Sequence, residues 1–269
     1  MYKIEVLIAT MHKENKEDII NLLKNMNVDS DSVVVSQCNK DDVEKFKYKN
    51  YNVTCVYSTE RGLSRSRNCA LRYASADVVV IADDDMRYID GYKNIVLNAY
   101  NTYFDDILTF QVNDKKKYHI TERKLNKILI HKVSSYEITL KLKSISEKFN
   151  IYFGTGSSYF QAGEENIFLS GCIRRGNTIR YIPSKIASLT DNRPSTWFTG
   201  FNEKYFLDKG AIYYQLSRFL AIPYILQFAI RKYELYRGKV GFFSAIYYMI
   251  CGIKVCKKLK IRQYGKYTK

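Results

Sequence analysis

Three consecutive carboxylates, Asp83, Asp84 and Asp85, stand directly after a run of apolar residues at positions 78–82. Three like charges side by side repel one another unless a cation neutralises them. Oxygen ligands of this kind suit Mg²⁺ or Mn²⁺, which could bridge to a diphosphate. A solvated acidic turn is the alternative, and the wholly apolar strand in front of it disfavours that interpretation. Because ligands of open parallel sheets bind where the strands end, the triplet predicts a metal and diphosphate site.

A second polar cluster, at positions 60–68, lies about one helix before that strand. Gly62 permits a tight entry into a helix, and Ser64 is a candidate N-cap. Arg65 and Arg67 then carry guanidinium groups towards an anion. An ordinary basic helix face is the alternative, and it stays open when this segment is taken alone.

The elements that position these residues alternate between strands and helices in the first half of the chain. Short apolar runs between polar turns predict strands at residues 2–9, 32–36, 51–57, 77–82 and 107–112. Helical spacing is found at residues 16–25, 61–73 and 91–103. Continuous Val/Ile runs indicate strands that are buried on both faces. The pattern predicts an α/β fold with a mainly parallel, Rossmann-like sheet flanked by helices.

The second half of the chain changes in character after residue 112. Residues 113–148 are rich in lysine and lack strong apolar strands, which predicts a mobile or helical insertion rather than more sheet. A glycine-containing loop at 151–158 is followed by a predicted helix at 164–176 and a predicted strand at 178–182. The only tryptophan, Trp197, lies in a predicted loop.

The order of these motifs resembles the inverting family 2 glycosyltransferases of the GT-A fold, of the kind that assembles bacterial surface polysaccharides. In that family a glycine precedes an Arg-Asn helix start, and an apolar strand ends in Asp-x-Asp. The matching positions here are Gly62, Arg67, Asn68, Asp83 and Asp85. Residues 163–169 resemble the family's Gly-Glu-Asp/Glu motif ahead of an apolar helix. The resemblance covers residues 1–205, as a nucleotide-sugar half (1–112) and an acceptor-side half (113–205).

The resemblance implies a donor pocket at the strand ends for a nucleoside-diphosphate sugar, expected to be UDP-linked. In it Thr10 and His12 would lie beside the base, and the segment from Gln37 to Asp41 would hold the uracil or ribose. The full set of expected donor contacts is Thr10, His12, Gln37, Asp41, Gly62, Arg67, Asp83 and Asp84. Asp85, together with Asp83, would coordinate Mn²⁺ or Mg²⁺ against the departing diphosphate.

Glu164 and Glu165 are the catalytic carboxylates that the resemblance implies, and Glu165 matches the family's second acidic position. A carboxylate opposite the leaving group can accept the proton of an acceptor hydroxyl, and one displacement inverts the anomeric configuration. Repulsion between adjacent glutamates could also raise one pKa towards neutrality. The alternative is a pair of acids that interact favourably with a helix dipole.

The sequence departs from the family pattern at two places. No acidic pair follows the second strand, where the run at 35–39 reads Val-Ser-Gln-Cys-Asn. No histidine follows the last core strand, so either Asp191 substitutes for it as a metal or phosphate ligand, or Asp85 and the phosphates alone hold the metal. On the acceptor side, Arg193 could meet a phosphate, Trp197 could stack on a sugar or be a structural tryptophan, and Gly154 would belong to a flexible loop.

The net charge of +16 is concentrated in the last quarter of the chain. From residue 204 onward there are 14 Lys or Arg residues against two acids. Two apolar segments, 211–230 and 240–253, lie between these charges, and a membrane span through either would export basic residues against the positive-inside rule. Residues 206–269 therefore predict a basic, amphipathic helical extension that lies on anionic inner-leaflet lipid.

These features together predict a cytoplasmic enzyme held at the inner face of the plasma membrane. The six scattered cysteines fit a reducing compartment, and the start of the chain leads straight into a predicted strand without a signal peptide. The expected acceptor is a membrane-bound, lipid-linked saccharide, and no nucleic-acid partner is expected. A nucleotidyltransferase is an alternative, but the segment after the first strand lacks the glycine-rich phosphate loop. A non-enzymatic basic binding protein leaves the acidic motifs unexplained.

Overall fold

A mixed sheet of nine strands is the centre of the fold in the part of the chain that the computed structural model describes, residues 2–112, 114–190 and 198–261. The strands are β1 (Ile4–Met11), β2 (Asp31–Gln37), β3 (Asp42–Tyr48), β4 (Tyr51–Ser58), β5 (Val78–Asp83), β6 (Met86–Tyr88), β7 (Ile107–Gln111), β8 (Arg123–Lys124), β9 (Ile138–Lys141), β10 (Ile179–Lys185) and β11 (Ala187–Leu189). The α-helices are α1 (Lys16–Asn25), α2 (Leu63–Tyr73), α3 (Tyr92–Thr102), α4 (Glu164–Arg174), α5 (Glu203–Leu216), α6 (Ala221–Arg231), α7 (Tyr233–Tyr236) and α8 (Phe242–Lys258). The sheet order is β3-β4-β2-β1-β5-β9-β7-β10-β8, and β6 pairs separately with β11.

The predicted parallel core is confirmed: β4, β2, β1 and β5 are neighbours that run in the same direction. Successive β1 side chains point to opposite faces, so Val6 packs in the cluster that contains α1 and α3, and Leu7 packs in the cluster that contains α2 and α4. Both faces are therefore buried, as the continuous apolar runs indicate. Because the strands are parallel, their carboxyl ends share one edge, where Ala9 of β1 pairs with Asp83 of β5.

The edge strand β3 is an element that the sequence pattern did not predict. It pairs antiparallel with β4 over its whole length, from Asp42 opposite Tyr57 to Tyr48 opposite Tyr51. Its charged side chains are largely exposed. A strand at a solvated edge needs no continuous apolar run, and charged residues there protect the edge from unwanted pairing.

The predicted insertion at 113–148 without further sheet is wrong, because β9 lies in the middle of the sheet. It is antiparallel to β5 on one side and to β7 on the other. Thr139 is buried there, and its hydroxyl lies 2.9 Å from the hydroxyl of Tyr100. β9 is four residues long and is flanked by short 3₁₀ turns, so no apolar run marks it in the sequence.

The C-terminal helices pack closely on one another and on α4. A Cβ atom on Gly210 of α5 would lie 1.9 Å from the carbonyl oxygen of Met249 in α8, and a Cβ on Gly252 would lie 2.0 Å from that of Leu207. Glycine at both positions lets the two helix backbones approach each other. The apolar segment at 211–230 is divided between α5 and α6 by a turn at 217–220. In the described part of the chain, no helix combines the length and apolarity needed to cross a membrane.

Candidate active site

The carboxyl ends of β1, β2 and β5 bring several of the predicted donor residues together. Thr10 is buried near the end of β1, and its hydroxyl donates a 2.6 Å hydrogen bond to Asp84 Oδ2. Asp84 is exposed and Asp83 is partly buried, at the end of β5. His12 follows β1 with a positive φ of 59° and an exposed side chain, and its N–H donates to the Gln37 carbonyl. The strand ends therefore form a polar edge at which Asp84 is exposed to solvent and Asp83 is partly exposed.

Arg67 is the residue that joins this edge to the start of α4. It is only 2% exposed, and its Nη2 donates to Asp83 Oδ1 at 2.7 Å while its Nη1 donates to Glu164 Oε1 at 2.8 Å. The Ser135 hydroxyl accepts a further 2.7 Å bond from Nη2. Burial acts to lower the pKa of Arg67, but the carboxylates of Asp83 and Glu164 more than offset it, and the net pKa is raised. The guanidinium therefore stays charged and holds the two acidic motifs together.

The start of α2 differs from the prediction. Gly62, with φ of 114°, is the N-cap, and Ser64 lies inside the helix, where its hydroxyl donates to the Phe153 carbonyl at 2.6 Å. The Ser64 cap prediction is wrong because a glycine already makes the turn that Ser64 would have capped. The Gly62 N–H donates to Gln37 Oε1 at 2.8 Å, so Gln37 supports this turn.

Other predicted residues in this region make local contacts at the surface. Arg65 is exposed and lies 3.7 Å from Glu60, because its position two residues from Arg67 places it on another side of α2. Asp41 is exposed and accepts hydrogen bonds from the backbone and hydroxyl of Thr59, which lower the pKa of Asp41. Asp41 therefore stabilises the loop after β4 through these hydrogen bonds.

The two glutamates at the start of α4 have different surroundings. The Glu164 side chain is buried and accepts a hydrogen bond from Arg67. Gly154 packs against Glu164, so a Cβ on Gly154 would lie 3.2 Å from Glu164 Cδ. Glu165 is partly buried, and it is Glu164, not Glu165, that accepts the hydrogen bond from Arg67 Nη1. Burial, and repulsion from the Glu164 carboxylate, raise the pKa of Glu165 to about 8. A carboxyl with a proton affinity raised in this way, as at Glu165, suits proton transfer near neutral pH.

The free energy of unfolding is expected to fall as the pH rises from about 5 to 8. The pKa of Glu165 is about 8 in the folded protein against 4.5 for an ordinary glutamate, so between these values the folded chain binds the extra proton. Stability falls with pH wherever the folded state binds more protons. Urea denaturation across this range should show the slope in the unaltered chain and a flatter curve for Glu165→Gln. Parallel curves for the two proteins would contradict the raised pKa.

Two basic residues near the start of α4, Lys209 and the neighbouring His131, were not predicted from the sequence as part of the site. Lys209 of α5 interacts electrostatically with Glu165, and its ammonium lies 5.6 Å from the Phe228 ring centre and 5.7 Å from that of Tyr205. Burial lowers the pKa of Lys209, against the effect of the Glu165 charge. Burial and the Lys209 charge also lower the pKa of His131. No local pattern marks either residue, because α5 reaches α4 only through tertiary packing.

The acidic triplet offers oxygen donors but not a closed metal cage. Among the described residues, no group of three or more His, Cys, Asp or Glu side chains could hold a metal ion by itself. Mg²⁺ is commonly bound by one or two carboxylates that substrate phosphates and waters complete, and Asp83 and Asp85 fit that donor chemistry. The backbone carbonyl of Asp85 accepts from the N–H and hydroxyl of Thr190, at 2.8 and 2.9 Å, which fixes the turn after β5. Three candidates, Asp191, Arg193 and Trp197, lie outside the described residues.

The sequence model of glycosyl transferase family 2 matches residues 28–168, more than half of the chain. This chain belongs to glycosyl transferase family 2. The matched stretch runs from just before β2 into α4 and contains the α2 start, the acidic triplet and both glutamates. Membership favours a glycosyltransferase over the nucleotidyltransferase and the non-enzymatic binding protein considered above. No curated protein matches the chain.

Solved structures of TarS from S. aureus share the fold of this glycosyltransferase. TarS 1-349 superimposes with a TM-score of 0.55 at 14% identity, covering 88% of this chain and 73% of TarS 1-349. The complex of TarS 1-349 with UDP gives a TM-score of 0.56 at 14% identity, covering 88% and 73%. The complex with UDP-GlcNAc gives 0.55 at 15% identity, covering 88% and 74%. The family 2 enzyme described here therefore has the GT-A fold, and helices α5 to α8 form its C-terminal region after residue 202.

Proposed function

We propose that this glycosyltransferase is a metal-dependent, inverting enzyme that moves a hexose or N-acetylhexosamine from a UDP-sugar to a hydroxyl of a lipid-linked oligosaccharide in bacterial polysaccharide synthesis. The observation that carries the proposal is the pair of ion pairs that the buried Arg67 makes with Asp83 and Glu164. These ion pairs connect the end of β5, which suits a diphosphate, to the start of α4, where Glu165 lies. The binding of UDP and UDP-GlcNAc by TarS, which shares the fold, supports a uridine donor.

In the proposed reaction the polar edge at β1, β2 and β5 holds the nucleotide and its diphosphate. Asp83 and Asp85 would hold a divalent ion, which when bound neutralises the charge of the leaving diphosphate. Arg67 keeps the Asp83 carboxylate in place for this role. These contacts are worth most in the transition state, where the negative charge on the leaving group grows.

Glu165 takes the proton in this mechanism. The acceptor hydroxyl lies between Glu165 and the anomeric carbon; its oxygen forms the new bond to that carbon while its proton moves to the Glu165 carboxylate. The bond between the anomeric carbon and the diphosphate oxygen breaks, and its electron pair leaves with the diphosphate. A single displacement of this kind inverts the anomeric configuration, and a carboxyl with a raised pKa is an effective base near neutral pH.

Isothermal titration calorimetry of UDP in the presence of Mn²⁺ tests the donor and metal parts of the proposal together. We expect binding that weakens about tenfold or more with EDTA or with Asp85→Ala, a loss of about 1.4 kcal/mol or more. Asp77→Ala is the matched control, because it also replaces an aspartate by alanine. Asp77 lies just before β5, at the end of that strand that is opposite to the acidic triplet. GDP, CMP and a DNA duplex should bind more weakly than UDP. Equal UDP binding with Mn²⁺ and with EDTA would overturn the metal role, and no nucleotide binding at all would overturn the donor.

A further inference from the structure

Helix α6 carries a row of apolar side chains on the outside of the molecule. Ile222, Leu226 and Ile230 are spaced by four residues, so they share one side of the helix, and Phe219 lies in the turn just before it. Phe219 is 95% exposed, and Ile222, Leu226 and Ile230 are 47%, 44% and 67% exposed. We name these four residues the α6 face. A contiguous apolar patch of this kind marks an interaction surface more often than a chance exposure.

The orientation of the α6 face is set by the packing of a neighbouring side of the helix. Ala221, Ile225 and Ala229 are buried in a cluster with Ala245 and Met249 of α8. α6 therefore already uses one apolar side to pack within the chain. The α6 face is a second apolar side, which the described residues leave between 44% and 95% exposed.

Basic side chains flank the α6 face at both ends. Arg218 precedes the helix, and Arg231, Lys232 and Arg237 follow it; all four are exposed. Glu234 is the one acid after residue 208, and it pairs with Arg237 at 3.0 Å. Exposed apolar side chains bordered by excess positive charge complement a surface with an apolar interior and anionic headgroups. The same charge disfavours a second copy of the chain, because two surfaces of the same sign repel each other.

A third side of α6 faces the proposed acceptor side. The Tyr224 ring lies 5.8 Å from the His131 ring and 5.6 Å from the Tyr213 ring. The Phe228 ring lies under the Lys209 ammonium, which interacts with Glu165. Through Phe228, α6 therefore contacts Lys209, the basic residue that interacts with Glu165.

We propose that the α6 face binds an anionic lipid bilayer. The four apolar side chains enter the boundary between headgroups and acyl chains, and the flanking arginines and Lys232 contact lipid phosphates. α6 then lies along the membrane surface, and Tyr224 and Phe228 place the acceptor side next to it. Membrane binding of this kind needs neither donor nor acceptor, so it stands independently of the proposed glycosyl transfer.

Flotation with vesicles tests the proposal without nucleotide or acceptor. The unaltered protein should float with phosphatidylcholine vesicles that contain phosphatidylglycerol, and less with phosphatidylcholine alone. The double variant Phe219→Ser, Ile230→Ser should bind the anionic vesicles about tenfold or more weakly, because two large apolar side chains no longer enter the lipid. Phe104→Ser is the matched control, since Phe104 is 90% exposed but lies between α3 and β7. It should bind as the unaltered protein does, and circular dichroism should show all variants folded.

An unaltered protein that floats with neither kind of vesicle would overturn the proposal. So would a double variant that floats as well as the Phe104→Ser control. If that double variant also changes the oligomeric state in sedimentation velocity, the α6 face belongs to a second copy of the chain instead.

Discussion

Glu165→Gln is expected to lower kcat about 10²–10⁴-fold while leaving UDP affinity nearly unchanged, because an amide of the same shape cannot accept the proton of the acceptor hydroxyl. Glu165 is the start-of-helix carboxyl that is not committed to Arg67, and burial beside Glu164 raises its pKa to about 8. The base must be ionised to act, so kcat/KM of the unaltered enzyme should rise with pH up to about 8 and level off above it. Initial rates with UDP-GlcNAc and a lipid-linked acceptor, together with calorimetry of UDP, separate transfer from binding.

Glu203→Gln is the matched control for this variant. Glu203 also lies in the first turn of a helix, α5, where it is exposed and far from the acidic triplet in sequence. If Glu165 served only as a favourable charge at a helix start, the two variants would behave alike. The base assignment fails by one residue if Glu165→Gln stays active while Glu164→Gln, whose fold is verified, does not.

Arg67→Met should lower the free energy of unfolding by about 3–5 kcal/mol, the usual cost of removing one partner from a buried ion pair. Arg67 is 2% exposed, and its loss would leave Glu164, itself buried, and the partly buried Asp83 without their cation. Methionine keeps much of the volume of the side chain, so lost packing contributes little to the result. Urea denaturation at neutral pH measures the effect.

Arg65→Met provides the comparison on the same helix. Arg65 is exposed and its contact with Glu60 is 3.7 Å long, so its loss should cost less than about 1 kcal/mol. Adding Glu164→Gln to Arg67→Met should restore part of the lost stability, because the buried carboxylate is then no longer charged. Equal destabilisation by the two single arginine variants would show that the Arg67 ion pairs contribute no more to the free energy of unfolding than the exposed contact of Arg65 does.

Predictions from local patterns succeeded where the residue pattern of a single segment is enough to identify its structure. The parallel strands β1, β2, β4 and β5 are buried on both faces, so their apolar runs are visible without any partner. The position of the acidic triplet follows, since a triplet after such a strand must lie at the carboxyl edge. β9 and β3 were missed because one is very short and the other is solvated, so neither needs an apolar run.

The sequence by itself determined the α/β class, the family resemblance and the two acidic motifs, because these depend on residue types within one strand or helix. The tertiary structure alone decided what those motifs contact. Arg67 and Glu164 are 97 residues apart, and Lys209 reaches Glu165 only because α5 packs on α4. The outward direction of the α6 face was likewise decided by α8, which packs against a neighbouring side of α6. Contacts between distant segments depend on how whole elements pack, and no local periodicity records that packing.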